Sequence, residues 1–136
     1  MPRPRIVVGA ALISADGSRV LAARRSAPAA LAGRWEFPGG KVEDGESSEQ
    51  ALARELREEL GVLAEAGRRL PGAAAVRPGL ELHIWSARLI EGAPRPLQDH
   101  SELRWLTGRE LLEVDWLEQD RFALPAVREL LARAAR

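Results

Sequence analysis

Residues 40–62, "GKVEDGESSEQALARELREELGV", pass from a glycine loop into a helix. The helix is expected over 47–60: Ser47 or Ser48 can cap it, Glu49 and Gln50 suit its first turn, and Gly61 ends it as a C′ residue. At about 100° per residue, Leu52, Leu56 and Leu60 form a core stripe about 80° wide. Glu59 falls about 20° outside that stripe, Glu55 about 60° and Glu58 about 120°. Three carboxylates therefore start at the edge of the buried face, where a purely solvated charged face would lie opposite it. Their i, i+3, i+4 spacing costs roughly 0.2–0.5 kcal/mol per like-charged pair. Arg54 and Arg57 project largely elsewhere on the wheel, so a counter-charge is needed. A hard divalent cation supplies one, since Mg²⁺ takes oxygen ligands, keeps several waters and uses substrate phosphates for the rest. The alternative is an ordinary charged amphipathic helix. Gly39 and Gly40 weigh against that, because glycine lets backbone groups approach a ligand closely.

Outward from this stretch, residues 6–14 and 19–25 read as a hairpin of strands joined at "ADGS". A loop "SAPAALAG" leads to a short extended "RWEFPGG". Strands are expected at 81–90 and 103–107, a short helix at 108–113 and a last helix at 121–135 that can begin near Leu124. The order implies an α+β fold of layered sheet and helices, one domain over residues 1–136.

Composition narrows the function. Twenty basic residues balance twenty acidic ones, so charge points to neither a nucleic-acid polymer nor an anionic membrane. Cysteine is absent, which removes disulfides, thiol catalysis and thiolate metal sites together. No apolar run reaches the roughly 20 residues of a membrane span. The start, "MPRPRIVVGAALISADG", imitates a signal peptide, but a buried strand uses the stretch better, and a cytoplasmic location is expected.

The 40–62 stretch resembles the Nudix box at every specified position: Gly40, Glu46, Arg54, Glu55, Leu56, Glu58, Glu59, Gly61 and Val62. "WEFPGGKVEDGE", "EGAPRP", the Trp105 strand and the C-terminal helix extend the likeness to MutT-type nucleoside triphosphate pyrophosphohydrolases, in the branch acting on oxidised guanine or cytidine nucleotides. The resemblance implies a mixed β-sheet sandwiched between helices. It also implies hydrolysis of a (d)NTP to the monophosphate and pyrophosphate, in nucleotide-pool sanitation and DNA repair. Mg²⁺ is the implied cofactor, with Mn²⁺ as substitute, and the partner is a small nucleotide bound by a monomer or homodimer.

By that motif, Glu58 and Glu59 are metal ligands, the Gly39 carbonyl is a third, and Glu55 either ligates or deprotonates the attacking water. Arg54 orients a glutamate through a charge-assisted bond, and Glu46 holds the loop. Lys41 is a phosphate contact or a solvated loop lysine. Asp99 matches an acid near the metals in related enzymes, with an exposed polar loop as the alternative; His100 and Glu102 stand beside it without an assigned role. His83 reads as an ordinary strand histidine. Arg25, Glu36 and Phe37 are implied to line the substrate pocket, although strand packing would also explain Phe37.

Asp120 is implied to read the base. The oxidised-guanine enzyme carries an asparagine there, whereas an ionised aspartate only accepts and suits the cytosine amine. The alternative has Asp120 capping a helix that begins at Arg121. Two rival classes remain, an ADP-ribose-type Nudix hydrolase and a noncatalytic Nudix-fold binding domain. The intact glutamate set argues against the second.

Overall fold

The apolar run after Arg5 forms β1 (Arg5–Ile13), whose side chains alternate between two cores. Val8, Ala10 and Leu12 face one layer and Ala11 the other, the pattern of a strand covered on both faces. The computed structural model describes residues 3–134, so residue 135 of the expected last helix lies outside the described residues. Along its length β1 runs parallel to β7 (Leu80–Glu91), from Arg5 opposite Leu80 to Ile13 opposite Arg88.

The expected hairpin is only a corner. β1 and β2 (Val20–Arg25) pair antiparallel at Ile13 and Val20 and then diverge. The segment 35–41 wedges into the split: β3 (Trp35–Glu36) pairs with β2, and β4 (Gly39–Lys41) pairs with β1. A sequence pattern gives each strand's faces but not its edge partners, which is why the hairpin reading over-extended the pairing. β2 finds its long partner in β8 (His100–Leu106), with a bulge between Arg24 and Arg25 that brings Arg25 opposite His100.

The helix expected over 47–60 is α1 (Ser48–Leu60). Ser47 caps it in a reciprocal box with Gln50, and Gly61 closes it with φ 72°. Its apolar stripe, Leu52, Leu56 and Leu60, packs on β1 with Val8 and Leu12. β5 (Leu63–Arg69) and β6 (Ala74–Arg77), both pairing with β7, escaped the sequence reading. They carry short, alanine-rich patterns, mostly exposed, with too little alternation to register. The expected helix at 108–113 is a single 3-10 turn, Leu111–Glu113. The last helix divides into a 3-10 segment, Glu118–Ala123, and α2 (Leu124–Ala134). Val127 and Leu131 of α2 bury against Ile84, Leu106 and Trp116, so the mixed sheet lies between α1 and α2.

Candidate active site

The wedge at 35–41 builds the site. Ala10 N–H donates to the Pro38 carbonyl at 2.8 Å and Val42 N–H to the Ile6 carbonyl at 2.9 Å. In an antiparallel ladder with that register, Gly9 and Gly39 oppose each other without exchanging hydrogen bonds. The amide and carbonyl of Gly39 thus turn away from β1, toward α1. The amide donates to Glu59 Oε2 at 3.1 Å, and the carbonyl is left on the same edge. Neither glycine here admits a side chain. A Cβ on Gly39 would run into the Val8 carbonyl, and one on Gly40 into the Glu55 carboxylate.

Arg54 organises the acids. Its Nε and Nη2 hold Glu46 in a two-pronged grip at 2.8 and 3.0 Å, Nη2 also donates to the Lys41 carbonyl at 3.0 Å, and Nη1 reaches Glu55 at 2.8 Å. Glu58 lies within 3.4 Å of the same nitrogen. The wheel placed Arg54 away from the carboxylates; the long side chain bends back, a freedom that backbone angles do not register. The grip pulls Glu46 down to about pKa 2, chiefly through the Arg54 bond.

Glu59 behaves oppositely. Burial raises it to about 8, and the charges of Glu36 and Glu55 push the same way. Burial also raises Glu55 despite Arg54. Glu58 is exposed. Among the described residues, no three acidic or histidine side chains converge closely enough to enclose a metal by themselves. A divalent cation fits under those terms, because Mg²⁺ uses one or two carboxylates and completes its shell with water and phosphate. Burial disfavours the ionised forms of Glu55 and Glu59, and such an ion would restore them.

Beside the glycines opens a cleft of about 320 Å³ that gathers Arg25, Glu36, Phe37, Lys41 and Asp120, the expected substrate residues, with Gly39, the expected metal ligand. Arg77 of β6 and Gln119 also line it; no sequence signal pointed to either, since β6 itself was not foreseen. A larger groove at Thr107, Leu112 and Leu131 contains no acidic side chain. Asp120 is 2% exposed. Its Oδ2 accepts from Phe37 N–H at 2.9 Å, so it caps no helix. Its Oδ1 is buried without a partner. Burial lifts it to about 8, with Glu36 adding to the push. Asp120 therefore carries a proton near neutrality and can donate as well as accept, against the acceptor-only reading. Phe37 stacks on the buried Trp116 with ring centroids 4.6 Å apart, which holds the Asp120 turn over the cleft.

Two expected residues lie apart from this centre. Lys41 is exposed at its rim. Asp99 is exposed, and its carbonyl accepts from Ser26 N–H at 2.7 Å. Two residues earlier, Leu97 N–H donates to the Glu59 carbonyl at 3.1 Å, tying the Asp99 loop to the end of α1. His100, unassigned from sequence, proves buried beside Glu36. His83 pairs with Glu81 on β7, as a strand histidine does.

Comparison with known proteins agrees with this geometry. The NUDIX domain model matches residues 3–129. A Mycobacterium tuberculosis protein provisionally named 8-oxo-dGTP diphosphatase 2 is 45% identical over 120 residues, covering 86% of this chain and 83% of that protein. An Escherichia coli protein named CTP pyrophosphohydrolase is 40% identical over 134 residues, 96% of each chain. The crystal structure of a MutT NUDIX hydrolase from Burkholderia pseudomallei superposes with a TM-score of 0.76, with 31% identity, covering 91% of this chain and 98% of that one.

The raised acids set a pH dependence of stability. Between the usual carboxylate range and pH 8, folded Asp120 keeps a proton that the unfolded chain releases, so stability falls as pH rises. Each such group contributes a slope of about 1.4 kcal/mol per pH unit. Glu59 acts with the same sign. Melting of metal-free protein should decline from pH 5 to 8, and Asp120→Asn should remove about one proton's share of that decline. Equal slopes for the two proteins would mean that Asp120 is ionised in the fold.

Proposed function

This chain belongs to the NUDIX domain family, and from that premise we propose that it is a MutT-like pyrophosphohydrolase. It converts (d)NTPs to (d)NMP and pyrophosphate. The favoured substrates are CTP, dCTP or modified cytidine triphosphates, with 8-oxo-dGTP as the second class, and the role is nucleotide-pool sanitation. The single observation that carries the reading is the continuity of the acidic centre, through Gly39, with a cleft that ends at a buried, half-satisfied Asp120. One end suits a polyphosphate with its cation and the other a base. Residues 1–136 act as one catalytic unit on free nucleotides, in the cytoplasm. No helix among the described residues is long and apolar enough to cross a membrane.

Glu58, Glu59, Glu55 and the Gly39 carbonyl would hold Mg²⁺, or Mn²⁺ in its place, with Asp99 contributing from its loop. The bound cation supplies positive charge against the charge that develops on the phosphoryl oxygens. Glu55 suits proton acceptance from the attacking water, since burial has raised its proton affinity while Arg54 fixes its position. Lys41 would contact a phosphate, and Arg25 lines the substrate cleft. Water attacks the β-phosphorus, the bond from that phosphorus to the α,β-bridging oxygen breaks, and the monophosphate leaves with the bridging oxygen.

Base choice follows from how Asp120 is tethered. Phe37 N–H engages one oxygen and leaves the other without a partner, in a residue that lines the cleft. In Asp120→Asn the same N–H holds the amide oxygen and turns inward an NH₂ that can only donate, whereas the free oxygen of the aspartate, protonated or not, keeps a lone pair for the cytosine amine. A substrate panel with pyrophosphate detection should show kcat/KM for CTP or dCTP falling about 10- to 100-fold in this variant, with relative preference moving toward 8-oxo-dGTP. An unchanged ranking retires Asp120 as base reader.

Two further results are expected. Glu58 is exposed, so Glu58→Gln should cut turnover by orders of magnitude at saturating Mg²⁺ while leaving the melting temperature near normal; near-wild-type turnover removes it from the ligand set. Hydrolysis in ¹⁸O-labelled water should place the label in pyrophosphate. Label in the monophosphate would mean attack at the α-phosphorus.

A further inference from the structure

Glu36 stands in an awkward place. It lines the cleft between Glu59 and Asp120, and its charge raises the proton affinity of both. A third acid there needs donors to hold it still. It has two on one oxygen: Arg25 Nη1 reaches Oε2 at 2.8 Å, and His100 Nε2 lies 2.9 Å from the same atom. A carboxylate already held by a guanidinium can only accept, so the imidazole hydrogen sits on Nε2. Glu36 Oε1 makes no hydrogen bond among the described residues.

The histidine is costly unless it has this task. Its side chain is 1% exposed and its Nδ1 is buried with no partner. An apolar side chain would fill the space without leaving an unsatisfied nitrogen. The bulge between Arg24 and Arg25 brings Arg25 opposite His100 across β2 and β8, so that both donors converge on one acceptor. Arg25 is itself steadied, donating from Nε to the Ala27 carbonyl at 2.9 Å.

We propose that His100 is the positioning residue of this cleft. With Arg25 it consumes one oxygen of Glu36 in anchoring and presents the other, Oε1, as a fixed acceptor for an N–H or O–H of the bound nucleotide. The proposal rests on the nucleotide reading above and adds the residue that sets the aim of its acceptor. His100 touches no substrate. Its effect passes entirely through Glu36.

The test is a double-mutant cycle between His100 and Glu36, read as KM and kcat for CTP and 8-oxo-dGTP. His100→Leu should raise KM about 10-fold, the loss expected for one charge-assisted hydrogen bond, with kcat little changed. His100→Gln, whose amide can reach Glu36, should recover most of that loss; His100→Asn, too short to reach, should not. In a Glu36→Gln background His100→Leu should add nothing further. Equal fold-losses in both backgrounds would mean that His100 only fills the core, and would overturn the proposal. Should the leucine variant fail to fold, the contrast between glutamine and asparagine decides in the same way. Imidazole ¹⁵N NMR of nucleotide-free protein should find the hydrogen on Nε2, and a bare Nε2 would remove the contact whatever the kinetics. Absence of any triphosphate hydrolysis by the wild-type protein would instead sink the nucleotide reading, and with it the ligand assigned to Oε1.

Discussion

The guanidinium of Arg54 connects what would otherwise be two separate pieces. It spans the loop at Lys41 and Glu46 and the helix at Glu55 and Glu58, holding them at 2.8–3.4 Å. A lysine could neutralise one of these acids but could not meet a carboxylate and a carbonyl through one planar fork. The repulsion among the α1 glutamates is thereby tolerated in the free protein. The grip is uneven. Glu46 is fully engaged and ionised, Glu55 is held by one nitrogen, and Glu59 receives only a backbone amide. Charge is thus left uncompensated at the Gly39 end of the cluster, where the cleft opens.

The cleft owes its existence to the divergence of β1 and β2. If the two strands had stayed paired, residues 35–41 would have no edges to join, and Glu36, Phe37 and Gly39 would have no common face. β3 is only two residues long, and its placement depends on outside support: Trp35 N–H donates to the Asp115 carbonyl, and Leu117 N–H to the Trp35 carbonyl. The same 115–117 segment carries the chain into the Asp120 turn. Packing of Trp116 therefore serves the sheet and the Asp120 end of the cleft at once.

Legibility in the sequence followed the range of the interactions. The α1 helix, its cap, its terminator and its misplaced glutamates were readable, because each depends on neighbours within about one helical turn. The motif at 40–62 carried the family and with it the layered fold. Edge partners were not readable, so the hairpin was over-extended and β5 and β6 were missed. Arg54 was readable as a partner of the acids only through the resemblance, since the wheel pointed it away. His100 could be seen but not interpreted: its role depends on Glu36, sixty-four residues distant, and on a bulge that no local pattern announces. Asp120 lines the cleft, yet its raised proton affinity follows from burial, which one sequence does not disclose.

The segment between β7 and β8 looks like an ordinary surface connection, with Gly92, Pro94 and Pro96 in quick succession. Its backbone says otherwise. Arg95 N–H and Leu97 N–H close the carbonyls of Leu60 and Glu59, and the chain then has only Gln98 and Asp99 in which to reach buried His100. It acts as a tether of measured length between the end of α1 and the Glu36 wall of the cleft. Surface loops generally accept insertions and deletions. This one does not have that freedom, and sequence drift here is confined to substitution at fixed length.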